Sequence, residues 1–345
     1  MNKKLRKLIY VLFAIIAIVL AILFLTPVKY FWENNIANHD HEIELFIAEG
    51  SSFDDVVSLL KEQNALKNYH IFDIVAGVLK YKSNKIPSGR YVLNSPMSTF
   101  SIVRKLRSGD QTPLNITFNN LRTINDLAGK LGSRLFIDSS LIMEKINNDS
   151  FLTSIGYNRE NILSLFIPNT YQMFWNISVD KLFDRMKNEH DKFWSSRQVK
   201  LDSLGMTDKD IYTLASIVEK ETIVGDEKPK IASVYLNRLK TGMKLQADPT
   251  VVFATGDFTM TRVYHKHLTM ESPYNTYMNY GLPPGPICMP DVSTIDAVIN
   301  CDITDYIFFC ASPDGSGRHL FAVDLAEHAR NANKYRKWLD ELKVN

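Results

Sequence analysis

The sequence has few cysteines, almost no net charge and only one long apolar run. Three cysteines in 345 residues, Cys288, Cys301 and Cys310, cannot all pair with one another, and none lies in a CxxC. A scaffold stapled by disulfides or zinc is thereby excluded. Forty Lys and Arg stand against 38 Asp and Glu, a net charge of +2, which excludes a broad polybasic surface for nucleic acid and an acidic tail alike. Neither an internal repeat nor a low-complexity segment is present, and no Pro/Gly/Ser-rich linker marks a border. With 45% hydrophobic and 23% charged side chains the composition is that of a folded chain, and such a length suggests about two domains.

The apolar run lies near the amino terminus. Lys3, Lys4, Arg6 and Lys7 precede an uncharged stretch from Leu8 to Leu25. About 18 residues at ~1.5 Å rise cover roughly 27 Å, enough with Thr26 to Val28 for a hydrocarbon core of ~30 Å. A cleaved signal peptide has a shorter apolar region and a small-x-small site, whereas ThrProValLysTyrPheTrp follows here. Residues 8–28 are therefore expected to form one uncleaved transmembrane helix behind a basic tail, 1–7. The basic flank places that tail in the cytoplasm and everything from about Lys29 onward across the membrane.

Beyond the span, GluIleGluLeuPheIle from Glu42 reads as a strand, followed by a turn at Glu49 and Gly50. A helix follows, with Ser52 as N-cap and Asp55 at its third position. Further elements are a helix over 69–79, a strand over 90–93, and a helix opened by Ser98 or Thr99 and stopped by Gly109. Residues 42–110 thus read as a small α+β unit. Its strand, two helices and strand resemble the LysM-like module that binds GlcNAc-containing glycans; a simple stalk is the alternative. From Pro113 a strand, AsnIleThrPhe, and helices over 123–135, 139–147 and 179–195 open a larger α+β domain, 113–345. A hairpin over 306–311 and 319–323 lies near its end.

The chemistry concentrates between Thr207 and Pro286. A helix beginning TDKDIYTLASIVEKET carries Asp208 and Asp210 in its first turn, as the helix dipole favours. At ~100° per residue Ile211, Leu214, Ile217 and Val218 form one stripe. Glu221 falls on that stripe, whereas Glu219 points roughly 120° from its centre. A carboxyl among apolar side chains has its pKa raised by desolvation, which suits a group that holds a proton near neutral pH and gives it up on demand. A plainer role for Glu221 is to cap the helix end or pair with Lys220 or Arg238. A second amphipathic helix, 230–240, precedes LeuGlnAlaAspProThr, where Pro249 is expected to push Asp248 toward an extended backbone. ProTyrAsnThrTyr and GlyLeuProProGlyProIle add amide, hydroxyl and aromatic groups on stiff loops, the parts of which sugar sites are built. Gln246, Asp248, Thr250, Tyr274, Asn275, Thr276 and Tyr277 are the candidate substrate-binding residues.

GluLysGluThr, AlaSerValTyrLeuAsnArgLeu, GlyMetLysLeuGlnAlaAspProThr, TyrAsnThrTyr and GlyLeuProProGlyProIle, in this order, resemble the motifs of the YceG-like endolytic murein transglycosylases (MltG). The resemblance runs from the anchor through SerGlyArgTyr and LysLeuArgSerGly in 42–110 to GluHisAlaArgAsnAlaAsn near the end. It implies an enzyme of the bacterial cytoplasmic membrane, with its catalytic domain in the periplasm or extracytoplasmic space. Such an enzyme cleaves nascent peptidoglycan glycan strands beside their synthases and leaves 1,6-anhydroMurNAc ends, without a cofactor. It also implies Glu221 as the catalytic acid, the residue that the helix wheel selects. Two other readings stay open. A hydrolytic muramidase needs a second carboxylate, for which Asp248 is the obvious candidate. An anchored glycan-binding scaffold needs no chemistry at all. The sequence departs from the family pattern at PheIleProAsnThrTyr, 166–171, where Asn169 replaces an Asp and is expected to make an Asx-type turn. His265 and His267 have no thiolate and no third ligand, so no metal is expected. At least one cysteine is expected to be a buried free thiol, with one disulfide left open.

Overall fold

The structure is a computed structural model that describes residues 10–16, 29, 31–37, 42–82 and 85–342. The basic tail and most of the expected span, 8–28, lie outside these residues. Residues 10–16 are helical and exposed, and among the described residues no helix is long and apolar enough to cross a membrane. The chain forms two compact units, Met1–Asn115 with Gln172–Ile177, and Ile116–Tyr171 with Ser178–Asn345.

In the first unit β1 (Ile43–Ile47) is followed by α1 (Phe53–Glu62), α2 (Tyr69–Val78), β2 (Gly89–Leu93) and α3 (Thr99–Ser108). The alternation of β1 buries Ile43, Leu45 and Ile47, and the strand pairs antiparallel with β2, placing Leu45 opposite Tyr91. Ser52 and Asp55 make a reciprocal capping box at the start of α1. Ser98 caps α3, and Gly109 ends it at a φ of 69°, a left-handed conformation that favours glycine. Val56, Leu60, Phe72, Tyr91 and Leu106 share one core. Residues 172–177, far away in sequence, belong to the same unit. The Trp175 ring meets Phe46 edge-on at 5.2 Å, and the Asn176 amide donates to the carbonyl and Oγ of Ser88 at 3.0 and 2.8 Å.

The second unit is mainly helical. Strands β3 (Leu114–Thr117) and β4 (Thr170–Met173) pair in a two-stranded sheet, of which Ile116, Thr117, Thr170 and Tyr171 belong to this unit, and α4 (Ile124–Gly132), α5 (Ser139–Ile146) and α6 (Asp149–Ser154) lie between them in sequence. Then come α7 (Val179–Ser195), α8 (Gln198–Leu204), α9 (Asp208–Glu221), α10 (Lys228–Lys240), α11 (Asp248–Thr255), α12 (His265–Leu268) and α13 (Val292–Ile299). The chain ends with the antiparallel pair β5 (Phe308–Ala311) and β6 (His319–Ala322), and α14 (Leu325–Glu341). Helix α9 is the centre of this unit. Thr207 and Asp210 form its capping box, and every residue from Ile211 to Val218 is buried, because α10, α11 and α13 all pack on it. The apolar stripe is therefore wider than the wheel suggests. Two polar groups within it are satisfied internally: the Tyr212 hydroxyl donates to the Phe166 carbonyl at 3.0 Å, and Ser216 Oγ accepts from the Ile287 N–H at 3.0 Å.

Local expectations differ from the structure at two places. Asp248 does not extend the loop but opens α11, with Pro249 in the first turn where its missing N–H is no loss; the extended residue is Ala247. The Asn169 side chain accepts from the Thr170 N–H at 2.7 Å rather than from the residue two along, and its carbonyl accepts from Phe118. All three cysteines are free, Cys288 being buried. Among the described residues no three His, Cys, Asp or Glu side chains gather to hold a metal.

Candidate active site

Glu221 is the last residue of α9. Its Oε1 accepts a hydrogen bond from the Tyr235 hydroxyl, presented by α10. Tyr235 is itself fully buried, its ring meeting Phe309 of β5 edge-on at 5.9 Å. One turn further along α10, Arg238 donates to the carbonyls of Ile307 and Leu245 at 2.7 and 2.6 Å, tying the approaches to β5 and α11 to the same helix. Burial pushes the Glu221 carboxyl from an ordinary 4.5 up to about 7. The Tyr235 hydrogen bond and the Arg238 charge pull it down, while the Asp248 charge adds to the rise. At neutral pH this acid therefore exists in both forms, able to donate a proton and to take one back. Lys220 is not its partner, since the ammonium donates instead to Asn120 Oδ1 at 3.2 Å.

Glu221 lines two cavities of this unit. One, of about 500 Å³, is lined by Arg122, Lys220, Glu221, Asp248, Phe253 and Phe258, among others. The other, of about 630 Å³, includes Asn119, Asn120, Glu221, Thr222, Ile223 and His319. Gly285 helps to set the wall of the first. A Cβ there would lie 1.9 Å from the Glu160 carbonyl oxygen, so only glycine lets the GlyLeuProProGlyProIle loop approach closely enough to seat Ile287 at the cleft.

The substrate-binding candidates divide into two groups. Asp248 is exposed in the same cleft as Glu221, and its Oδ1 accepts from the Tyr277 hydroxyl at 2.6 Å. Burial and the Asp248 carboxylate push the Tyr277 phenol well above its usual range. Thr250, Asn275 and Thr276 are buried and spend their polar groups on the frame. Thr250 and Thr276 hydroxyls pair at 2.8 Å, and the Asn275 amide donates to the carbonyls of Leu268 and Met270 at 3.1 and 2.8 Å. Tyr274 packs on Phe253 of the cleft with ring centroids 4.7 Å apart. Gln246 is exposed and holds the loop through its N–H to the Thr276 carbonyl at 3.2 Å.

Glu219 differs from expectation. It points away from Glu221, yet not to open solvent: Lys228 meets it at 3.0 Å, the Thr294 hydroxyl donates to it, and the Asp291 N–H reaches it at 3.4 Å. Helix α13, about seventy residues downstream, covers that face. The wheel also leaves out Tyr235, Arg122, Lys220 and the aromatic pair Phe253 and Phe258. Of these only Tyr235 has a local signal, its three-residue spacing from Arg238 on the inward face of α10.

A carboxyl kept protonatable in an open cleft, with a hydroxyl donor behind it, is chemically equipped to act as a general acid. A family model matches residues 45–334, and the chain belongs to the YceG-like family. It is 29% identical over 310 residues to the endolytic murein transglycosylase of Bacillus subtilis (strain 168), covering 85% of this chain and 84% of that protein. The endolytic murein transglycosylase of Streptococcus pneumoniae serotype 2 (strain D39 / NCTC 7466) is 25% identical over 330 residues. That match covers 87% of this chain but 59% of the longer streptococcal protein. A crystal structure of a YceG-like protein from Listeria monocytogenes is similar, with a TM-score of 0.56 and 26% identity, over 85% of this chain and 99% of that one.

Proposed function

We propose that the chain is a membrane-anchored endolytic lytic transglycosylase that cleaves the MurNAc-GlcNAc bond of peptidoglycan strands through Glu221 and leaves 1,6-anhydroMurNAc ends. Family membership and the names of the relatives carry the coarse part, a lyase of the lytic transglycosylase type acting on peptidoglycan. Glu221 supports the finer part. Its carboxyl, pushed up to about 7, lines two cavities, which supports a strand that extends past it and is cut internally.

In this mechanism Glu221 gives its proton to the bridging oxygen, and positive charge develops at the MurNAc anomeric carbon. The Tyr235 hydroxyl stabilises the carboxylate that remains. Asp248, held by Tyr277, lies in the same cleft and is suited to face the developing charge. Glu221 then takes the proton of the MurNAc C6 hydroxyl as that oxygen closes on the anomeric carbon. An intramolecular nucleophile has a high effective concentration, so no activated water is needed. A muramidase would instead use Asp248 as nucleophile or as base for water.

The run Leu8 to Leu25 and its basic flank support an anchor in the bacterial cytoplasmic membrane, amino terminus inside and everything from about Lys29 onward outside. There the LysM-like 42–110 segment would hold glycan, close to peptidoglycan synthases. Replacing Glu221 by Gln keeps the shape and removes the transferable proton. Strand cleavage by the purified variant should fall by about 10²–10⁴-fold. Retained cleavage would remove Glu221 from the mechanism.

A further inference from the structure

Several cations of the second unit are matched to carboxylates, among them Arg159 with Asp149, Arg197 with Asp296, Lys228 with Glu219, and Arg318 with Asp226. Three cations lining the first cavity are not. Arg122 lies over the Phe258 ring, 4.4 Å from its centroid. Lys220 meets only the neutral Asn120 side chain, and Arg262 lies 5.8 Å from the Tyr264 ring centroid. Among the described residues none of the three pairs with a carboxylate, although Glu221 and Asp248 share their cavity. The same cavity also has an apolar part, with Val252, Phe253, Phe258 and Ile287. The second cavity shares Lys220 but has neither arginine: Asn119, Asn120, Thr222 and Asp291 help to line it, and its Glu219 and His319 are already paired, with Lys228 and Glu227.

We infer that Arg122, Lys220 and Arg262 form a subsite for the carboxylate carried on the 3-O-lactyl arm of muramic acid, so that this side of Glu221 recognises muramic acid by charge; the assignment rests on the glycan-cleaving reading of the cleft. The chemistry matches in two respects. A lactyl arm bears a methyl and a carboxyl on one carbon, which fits apolar lining beside unpaired cations, whereas GlcNAc has a plain hydroxyl at that position. A guanidinium stacked on an aromatic face keeps its edge N–H groups free for the two oxygens of a carboxylate. The carboxylate is either the lactyl group itself, on peptide-free strands, or an acid of the attached stem peptide.

Three strand preparations of equal length separate these cases: peptide-free, peptide-bearing, and peptide-free with the lactyl carboxyl capped as its methylamide. Wild type should cleave at least one anionic preparation about tenfold more efficiently in kcat/KM than the capped one, the size expected for a charge-assisted hydrogen bond at an open site. Preference for the peptide-free strand identifies the lactyl carboxylate, and preference for the peptide-bearing strand the stem. Arg122→Gln should bring the ratio toward unity mainly through KM, and Arg122→Lys should restore part of it, with thermal melts confirming that both variants fold. Equal rates on anionic and capped strands, or an unchanged ratio in Arg122→Gln, overturn the subsite and leave the transglycosylase reading intact. A wild type that binds anionic strands over capped ones in calorimetry, yet cleaves none, overturns the Glu221 mechanism while the subsite stands.

Discussion

Replacing Tyr235 by Phe isolates the one hydrogen bond that the Glu221 carboxylate receives from a fully buried side chain. The ring and its edge contact with Phe309 are kept, so packing changes little. That hydroxyl bonds the ionised form and so lowers the Glu221 pKa from what burial alone would give. Bonds to charged groups contribute about 1.5–3 kcal/mol, and 1.36 kcal/mol corresponds to one pKa unit, so its loss should raise the carboxyl by roughly one to two units. The sign follows directly: a general acid must be protonated in the free enzyme, so the alkaline limb of kcat/KM reports its pKa. For wild type that limb is expected near pH 7, and for Tyr235→Phe between about pH 8 and 9. The plateau should also fall, because the carboxylate left after proton donation has lost its donor. The assay is release of strand ends across pH 5–10, with a thermal melt to show that the variant is folded. An alkaline limb that stays in place or moves to lower pH would refute the assignment of Tyr235 and Glu221 as a coupled pair.

The same carboxyl affects stability. Folded Glu221 keeps its proton up to about pH 7 while the unfolded chain loses it near 4.5, so stability falls as pH rises through that window. Glu221→Gln removes this loss and should gain stability relative to wild type between pH 4.5 and 7, by at most about 3 kcal/mol, in urea unfolding. Equal wild-type and variant profiles across that window would contradict the raised pKa. Glu219→Gln breaks a largely enclosed ion pair and should cost about 2 kcal/mol in unfolding while keeping the wild-type product and far more activity than Glu221→Gln. A dead but folded Glu219→Gln would shift the chemistry to Glu219. A reporter active only outside the cytoplasm, fused after Asn345, should score positive; silence would contradict the anchor and its orientation.

Local signals reach as far as local structure does. The cap at Ser52, the acids Asp208 and Asp210 in the first turn of α9, the left-handed stop at Gly109 and helix 179–195 follow from residues three or four positions apart, and each is where the sequence places it. Periodicity also puts Glu221 on the inner face of α9. What α9 faces on its other sides cannot be read in this way. The outward-pointing Glu219 becomes part of a polar knot because α13 covers it, and the stripe widens because three helices surround α9. Asp248 shows a conflict between two rules for proline, one extending the residue before it and one favouring it in a first helical turn; the second wins. The residues around PheIleProAsnThrTyr and GlyLeuProProGlyProIle suggest stiff loops, yet the buried hydroxyls and amides of Thr250, Asn275 and Thr276 are used within the frame. Arg122 lies about a hundred residues before Glu221, and no pattern along the chain joins them.

The central claim is that Glu221 serves in turn as acid and base for an intramolecular closure, and the sugar ends themselves test it most directly. Mass spectrometry of the products of purified, peptide-free glycan strands distinguishes an anhydro end from a hydrated one by the mass of one water. Wild type should release 1,6-anhydroMurNAc ends from internal positions of the strand, and Glu221→Gln should release almost none. Hydrated reducing MurNAc ends from the wild-type protein would contradict the account and assign Asp248 to the activation of water or to nucleophilic attack.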